Sequence, residues 1–141
     1  MKKFSFTKGL ALATAVFTLS GCSKKTEEAR LQKVVVYAYD SFISEWGPGP
    51  ELVKLFKSST GYDLEFVSCE DGVQLVTRTV IEKNNPQADV ILGIDNALVA
   101  HALEAKILTP YRPKDADKII SPSLQTALTK DWSLTPFDWS H

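Results

Sequence analysis

An α/β fold, an open parallel sheet with helices on both faces, is what this sequence predicts, and three observations predict it. Three short apolar runs stand at Val34–Tyr39, Leu64–Val67 and Val90–Leu92. Each is followed by a stretch with apolar residues at helical spacing, and the connections between them are short. Strand and helix signals that alternate in this way are the mark of parallel β-α-β units.

The elements follow in order. Val34-Val35-Val36-Tyr37-Ala38-Tyr39 is continuous, apolar and rich in β-branching, as in a parallel strand covered on both faces. Gly49, Pro50 and Glu51 open a helix, with proline in the first turn and an acid beside it. Leu52, Leu55 and Phe56 continue it, and Gly61 stops it. Leu64, Phe66 and Val67 make a second strand whose partial alternation predicts a less buried place. Asp71 reads as the N-cap of a second helix, with Val73, Val76 and Val80 on one face, ending at Asn84-Asn85-Pro86. Val90-Ile91-Leu92 reads as a third buried strand, closed by Gly93. Asp95 or Asn96 then caps a third helix with Leu98, Val99, Ala102 and Leu103 on its apolar side. Beyond Ile107, Pro110, Pro113, Pro122 and Pro136 interrupt the pattern, and only Leu124–Leu128 reads as a short helix.

The first residues are of another kind. Lys2 and Lys3 precede an apolar run from Leu10 to Leu19, too short for the roughly 20 residues a membrane-spanning helix needs. With the small residues that follow, this is the pattern of an export signal. Its ending, Leu19-Ser20-Gly21-Cys22, matches a bacterial lipobox, in which the cysteine becomes the first mature residue and carries lipid. Residues 1–21 are therefore expected to be a lipoprotein signal peptide, 22–32 a lipidated polar tether, and 33–141 the folded part. An ordinary signal cut beside a cysteine is the alternative.

Cleavage before Cys22 leaves 120 of the 141 residues, one domain at most. It removes three lysines and no acid, leaving 13 basic against 17 acidic residues, a balance of −4. That acidity argues against nucleic acid as a partner, since phosphate backbones need a basic face. With Cys22 lipidated, Cys69 has no intramolecular partner and reads as a small buried residue. No GxSxG elbow, HExxH pair, P-loop or Cys/His pairing is present, and His101 has no metal-ligating neighbour at useful spacing. The chain is expected to hold something rather than transform it, with no cofactor and no metal.

What it holds is argued from the strand ends, because ligands of open parallel sheets bind beyond the carboxyl ends of the strands. After the first strand come Tyr39, Asp40, Ser41 and Phe42, then Trp46-Gly47-Pro48-Gly49-Pro50. After the second come Glu70, Asp71 and Gly72; after the third, Gly93, Asp95 and Asn96. Helix N-termini there suit an anion. Carboxylates with the aromatic faces of Tyr39 and Trp46 suit a flat cationic ring, and Gly72 lets a ligand approach the backbone. Structural readings stand beside these: Asp71 and Asp95 as helix caps alone, Gly47–Pro50 as a rigid loop, Tyr39 as the core-facing end of its strand.

At these residues the chain resembles the thiamine-binding substrate proteins of bacterial ABC importers, within the type II periplasmic-binding-protein fold. Tyr37–Phe42, Trp46–Pro50, Glu70–Val73, Ala88–Asn96 and Thr135–Trp139 carry the resemblance, in order and spacing. It implies that Tyr39 and Trp46 contact thiamine or its phosphates, with Asp71 and Gly72 lining the same pocket and Asp40, Asp95 and Asn96 carried over less firmly. It implies ABC permease and ATPase partners and a periplasmic, membrane-anchored location. It also implies a two-lobed clamshell, of which this chain would be the first lobe, truncated before the second. Alternatives are, of the same class, a receptor for another small solute such as ferric iron or an anion and, of a different class, a surface lipoprotein acting as an interaction or sensor module.

Overall fold

A computed structural model describes residues 32–128 and 131–137; the expected signal peptide and Cys22 lie outside the described residues, as do Asp138 and Trp139. Three parallel strands form the sheet: β1 (Lys33–Ala38), β2 (Asp63–Ser68) and β3 (Val90–Leu92), in the order β2-β1-β3. In register, Val36 lies between Phe66 and Val90, and Tyr37 between Val67 and Ile91. The first run of the sequence is thus the central strand, and its β-branched, unbroken apolarity is explained by neighbours on both edges. Val36, Tyr37 and Ala38 are buried. On β2, exposed and half-buried residues alternate, as the sequence pattern predicts for an edge.

Two long helices cross between the strands. α2 (Gly49–Thr60) joins β1 to β2, and α3 (Gly72–Ile81) joins β2 to β3. A one-turn helix, α1 (Asp40–Ile43), precedes them, and α4 (Val99–Ala105), α5 (Ala116–Ile119) and α6 (Pro122–Leu128) follow. The first crossover moves outward from β1 to β2 and the second returns past β1 to β3. Crossovers of one hand running in opposite directions put their helices on opposite faces.

Side-chain packing agrees. Tyr37, Cys69, Leu75 and Val76 form the core under α3, flanked by Val35, Val67 and Ile91. On the other face, the buried Phe42 ring lies 5.6 Å from Phe66. α2 ends as expected: Gly61 takes φ +79° and its N–H donates to Lys57 O at 2.9 Å.

Four expectations are corrected. β3 is not a buried strand: it pairs with β1 on one side only among the described residues, and Val90 is 48% exposed. Val73 is exposed because the stripe of α3 that meets the sheet centres on Leu75 and Val76, leaving Val73 on its flank. Neither Asp95 nor Asn96 caps the third helix; α4 begins after Leu98. α1 and α5, one turn each, were not foreseen, since four residues carry no helical periodicity.

Candidate functional site

β1 ends at Ala38, which leaves Tyr39 half-buried at the strand's carboxyl edge, immediately before α1. The ladder between β1 and β2 runs on past the strands: Cys69 N–H donates to Ala38 O at 2.9 Å, and Asp40 N–H to Glu70 O at 3.1 Å. These bonds put Tyr39 and Asp40 beside the turn that carries Glu70 and Asp71. Asp40 is held further by the Ser68 hydroxyl, which donates to its Oδ1. Glu70 takes φ +60°, a left-handed conformation that costs a non-glycine residue about 1–2 kcal/mol and turns the chain sharply from β2 into α3.

Asp71 is a helix cap, as its sequence context predicts. Its carboxylate accepts from Gln74 N–H at 2.8 Å, and its carbonyl accepts from Leu75 N–H at 3.0 Å. The amides of Gly72 and Val73 precede the first intrahelical donor, Leu75 N–H, and point out of the helix end. Gly72 lies against β3's exit. A Cβ built there would stand 2.6 Å from Gly93 O and 2.9 Å from Leu98 Cδ1. Gly93 in turn lies against Tyr39, with a Cβ position 2.6 Å from Tyr39 Cδ1. Residues after all three strands therefore meet: Tyr39 and Asp40, Asp71 and Gly72, and Gly93 form one rim.

The other candidates flank it in sequence and show no such contact with it. Asp95 makes a turn of its own, its Oδ1 accepting from Ala97 N–H at 2.9 Å and Leu98 N–H at 3.1 Å, so that part of its hydrogen-bonding capacity is used in leading the chain into α4. Asn96 is exposed in that turn. Trp46 is 80% exposed on the loop between α1 and α2. That loop is pinned by Gly47, whose N–H donates to Ser44 O at 2.9 Å and whose Cβ position would meet Ser41 O at 2.4 Å. The indole is thus carried on a fixed backbone but packed against little, as suits a group that covers something else.

A cavity of about 720 Å³ lies elsewhere, along the unpaired side of β3, among Val90, Leu92, Ile107, Leu108, Trp132 and Leu134. It touches the rim at Gly93, and none of the seven ligand-contact candidates lines it. It opens along the side of β3 that pairs with no strand among the described residues, and the rim's chemistry carries more weight than the cavity's size.

Sequence reasoning missed a polar cluster behind the sheet's centre. Tyr37 hydroxyl donates to Glu82 Oε2 at 2.7 Å, Arg78 pairs with Glu82 Oε1 at 3.0 Å, and the Arg78 guanidinium lies 4.3 Å from the centre of the Tyr37 ring. Burial, then the bond to Glu82, pushes the Tyr37 hydroxyl up to about 12. That same bond, with help from Arg78, holds the Glu82 carboxyl below its ordinary value. Burial likewise pushes the Cys69 thiol up, which makes it inert rather than nucleophilic. The i, i+4 spacing of Arg78 and Glu82 was the available signal; that Tyr37 lies beneath them was not legible.

Among the described residues, no cluster of three or more His, Cys, Asp or Glu is placed to hold a metal ion, and no helix is long and apolar enough to cross a membrane. No family model matches the chain. Individual proteins do. A thiamine-binding periplasmic protein of Salmonella typhimurium is 45% identical over 74 residues, which is 52% of this chain and 23% of that protein. One from Haemophilus influenzae is 33% identical over 100 residues, 70% of this chain and 29% of the relative. A solved structure of a periplasmic thiamin binding protein aligns with TM-score 0.55 at 40% identity, covering 60% of this chain and 27% of that one.

This chain is similar to thiamine-binding periplasmic proteins. The fold is the α/β fold of that solved structure, an open parallel sheet with its helices. The chain spans less than a third of the length of these relatives.

Proposed function

We propose that this chain is the first-lobe portion of a thiamine receptor of an ABC importer, binding thiamine or its phosphates at the rim formed by Tyr39, Asp40, Asp71 and Gly72. The observation that carries the reading is the 33–45% identity to proteins named as thiamine-binding. The chemistry of the rim supports it. A thiazolium is a flat cation, which attracts the face of Tyr39 and of an exposed Trp46 and the charge of Asp40. A phosphate or hydroxyl at the other end of the ligand would take the amides at the α3 N-terminus. Asp95 and Asn96 complete the polar border, and a second lobe would close over the indole of Trp46. ABC permease and ATPase subunits are the partners this role requires, in the periplasm, with lipid on Cys22 tethering residues 22–32 to a membrane.

Titration with thiamine tests the reading. Tryptophan emission is expected to fall with added thiamine, and Trp46→Ala to weaken that quenching. Emission unchanged across a wide titration of the protein completed with its second lobe would sink the assignment. Cys22→Ala is expected to move the protein from the membrane to the soluble fraction, and continued membrane retention would overturn the lipid anchor.

A further inference from the structure

Tyr39 is expected to present an aromatic face at the rim, and what fixes that face lies on a different strand. Gly93 leaves β3 with φ +126°, a conformation that L side chains rarely adopt. A Cβ there would stand 2.6 Å from Tyr39 Cδ1, 3.3 Å from Cε1 and 3.7 Å from Cγ, so the ring lies directly on the bare backbone. Phe42 holds the ring from another direction, edge-on, with centroids 5.7 Å apart and planes at 70°. Gly93 itself is held by α3: its carbonyl oxygen is 2.6 Å from where a Gly72 Cβ would be. Gly72, Gly93, Tyr39 and Phe42 are thus stacked in contact across all three strand ends.

We infer that Gly93 is a positioning and specificity-determining residue of the ligand site: its backbone forms one wall of a slot, with Phe42 as another, that fixes the tilt of the Tyr39 ring for stacking on a flat cationic heteroaromatic ring. This rests on Tyr39 being a ligand contact, as proposed above. A methyl group at position 93 has no room unless the Tyr39 ring moves, so it reorients the ring as well as straining the backbone at φ +126°. Ligand selectivity at this rim is then set jointly by a side chain after β1 and a missing side chain after β3.

A double-mutant cycle on the full chain tests it, with thiamine as the probe and calorimetry as the readout. Gly93→Ala is expected to weaken binding about tenfold, the scale of one lost aromatic contact. In a Tyr39→Ala background, where the ring is gone, Gly93→Ala is expected to cost clearly less, the remainder being backbone strain at φ +126°. Equal losses in both backgrounds would overturn the inference, because Gly93 would then act on the fold and not through the ring. Two measurements separate this from failure of the thiamine reading or of folding. With fluorotyrosine incorporated, Gly93→Ala is expected to shift the Tyr39 fluorine resonance and leave that of the exposed Tyr62 in place; an unmoved Tyr39 signal overturns the inference even if thiamine never binds. In the unmutated chain, an Overhauser contact between Tyr39 Hδ and Gly93 Hα is expected, and its absence overturns the slot.

Discussion

Tyr37 carries two duties at the scale of a single residue. Its ring fills the core under α3 and its hydroxyl reaches Glu82, with Arg78 above the ring. The hydroxyl is raised from 10.0 to about 12, which means the folded state favours the neutral phenol. That contribution is complete below pH 10, where the unfolded chain also keeps its proton, and is lost as pH climbs through about 12. Glu82 has the opposite sign. Its lowered carboxyl stabilises the fold above the ordinary glutamate range, and that stability is lost as pH falls through the depressed value. Chemical denaturation across pH should therefore give a stability that drops on both limbs. Tyr37→Phe is expected to flatten the alkaline limb and Glu82→Gln the acid one; unaltered limbs would remove the cluster from the account. Nothing in a run of Val-Val-Val-Tyr-Ala-Tyr distinguishes Tyr37 from Tyr39. The end of β1 at Ala38 does so, keeping Tyr37 inside the strand under α3 and leaving Tyr39 just beyond it at the rim.

Helices α2 and α3 look alike in sequence, each with leucines and valines at helical spacing, yet they are covered to different extents. Leu75 is 0% exposed, whereas Leu55 is 55% exposed. Leu75→Ala is expected to cost about 2–5 kcal/mol in urea denaturation, the range for a leucine removed from a closed core. Leu55→Ala should cost no more than about 1 kcal/mol, since little apolar area returns to water. Comparable losses at the two sites would show that α2 is packed more tightly than its exposure indicates. Both start signals and the stop of α2 were legible, since Pro50 with Glu51, Gly61 and Asp71 act as local chemistry dictates, whereas α3 ends at Ile81, ahead of the expected Asn84-Asn85-Pro86. The face each helix turns inward was read less well. Periodicity placed Val73 with Val76 and Val80, and the sheet chose Leu75 and Val76.

For the whole molecule, the consequential feature is the side of β3 that pairs with no strand among the described residues. Val90 is 48% exposed, and Ile81, Tyr111 and Ile119 are more exposed still. Unpaired backbone on a short apolar edge strand is a template for another strand. Concentrated solutions of the chain should therefore self-associate, and Val90→Lys is expected to reduce that association in sedimentation experiments. A monodisperse unmutated chain at high concentration would show that the edge is protected. The rim and this edge are neighbours through Gly93, so an element that covered β3 would also border the rim.

Local chemistry, read along one dimension, determined the strands, the caps at Gly61 and Asp71 and the fact that Tyr39, Asp71 and Gly72 follow strand ends, because caps, breakers and apolar runs act over a few residues. Sheet order had to come from the folded chain. Only that order puts β1 between its partners, leaves β3 at the edge, and brings Gly93 against Tyr39, since contacts between residues 54 positions apart have no signature in either one's neighbourhood. The rim's chemistry was written in the sequence, and its geometry exists only where three strands end side by side.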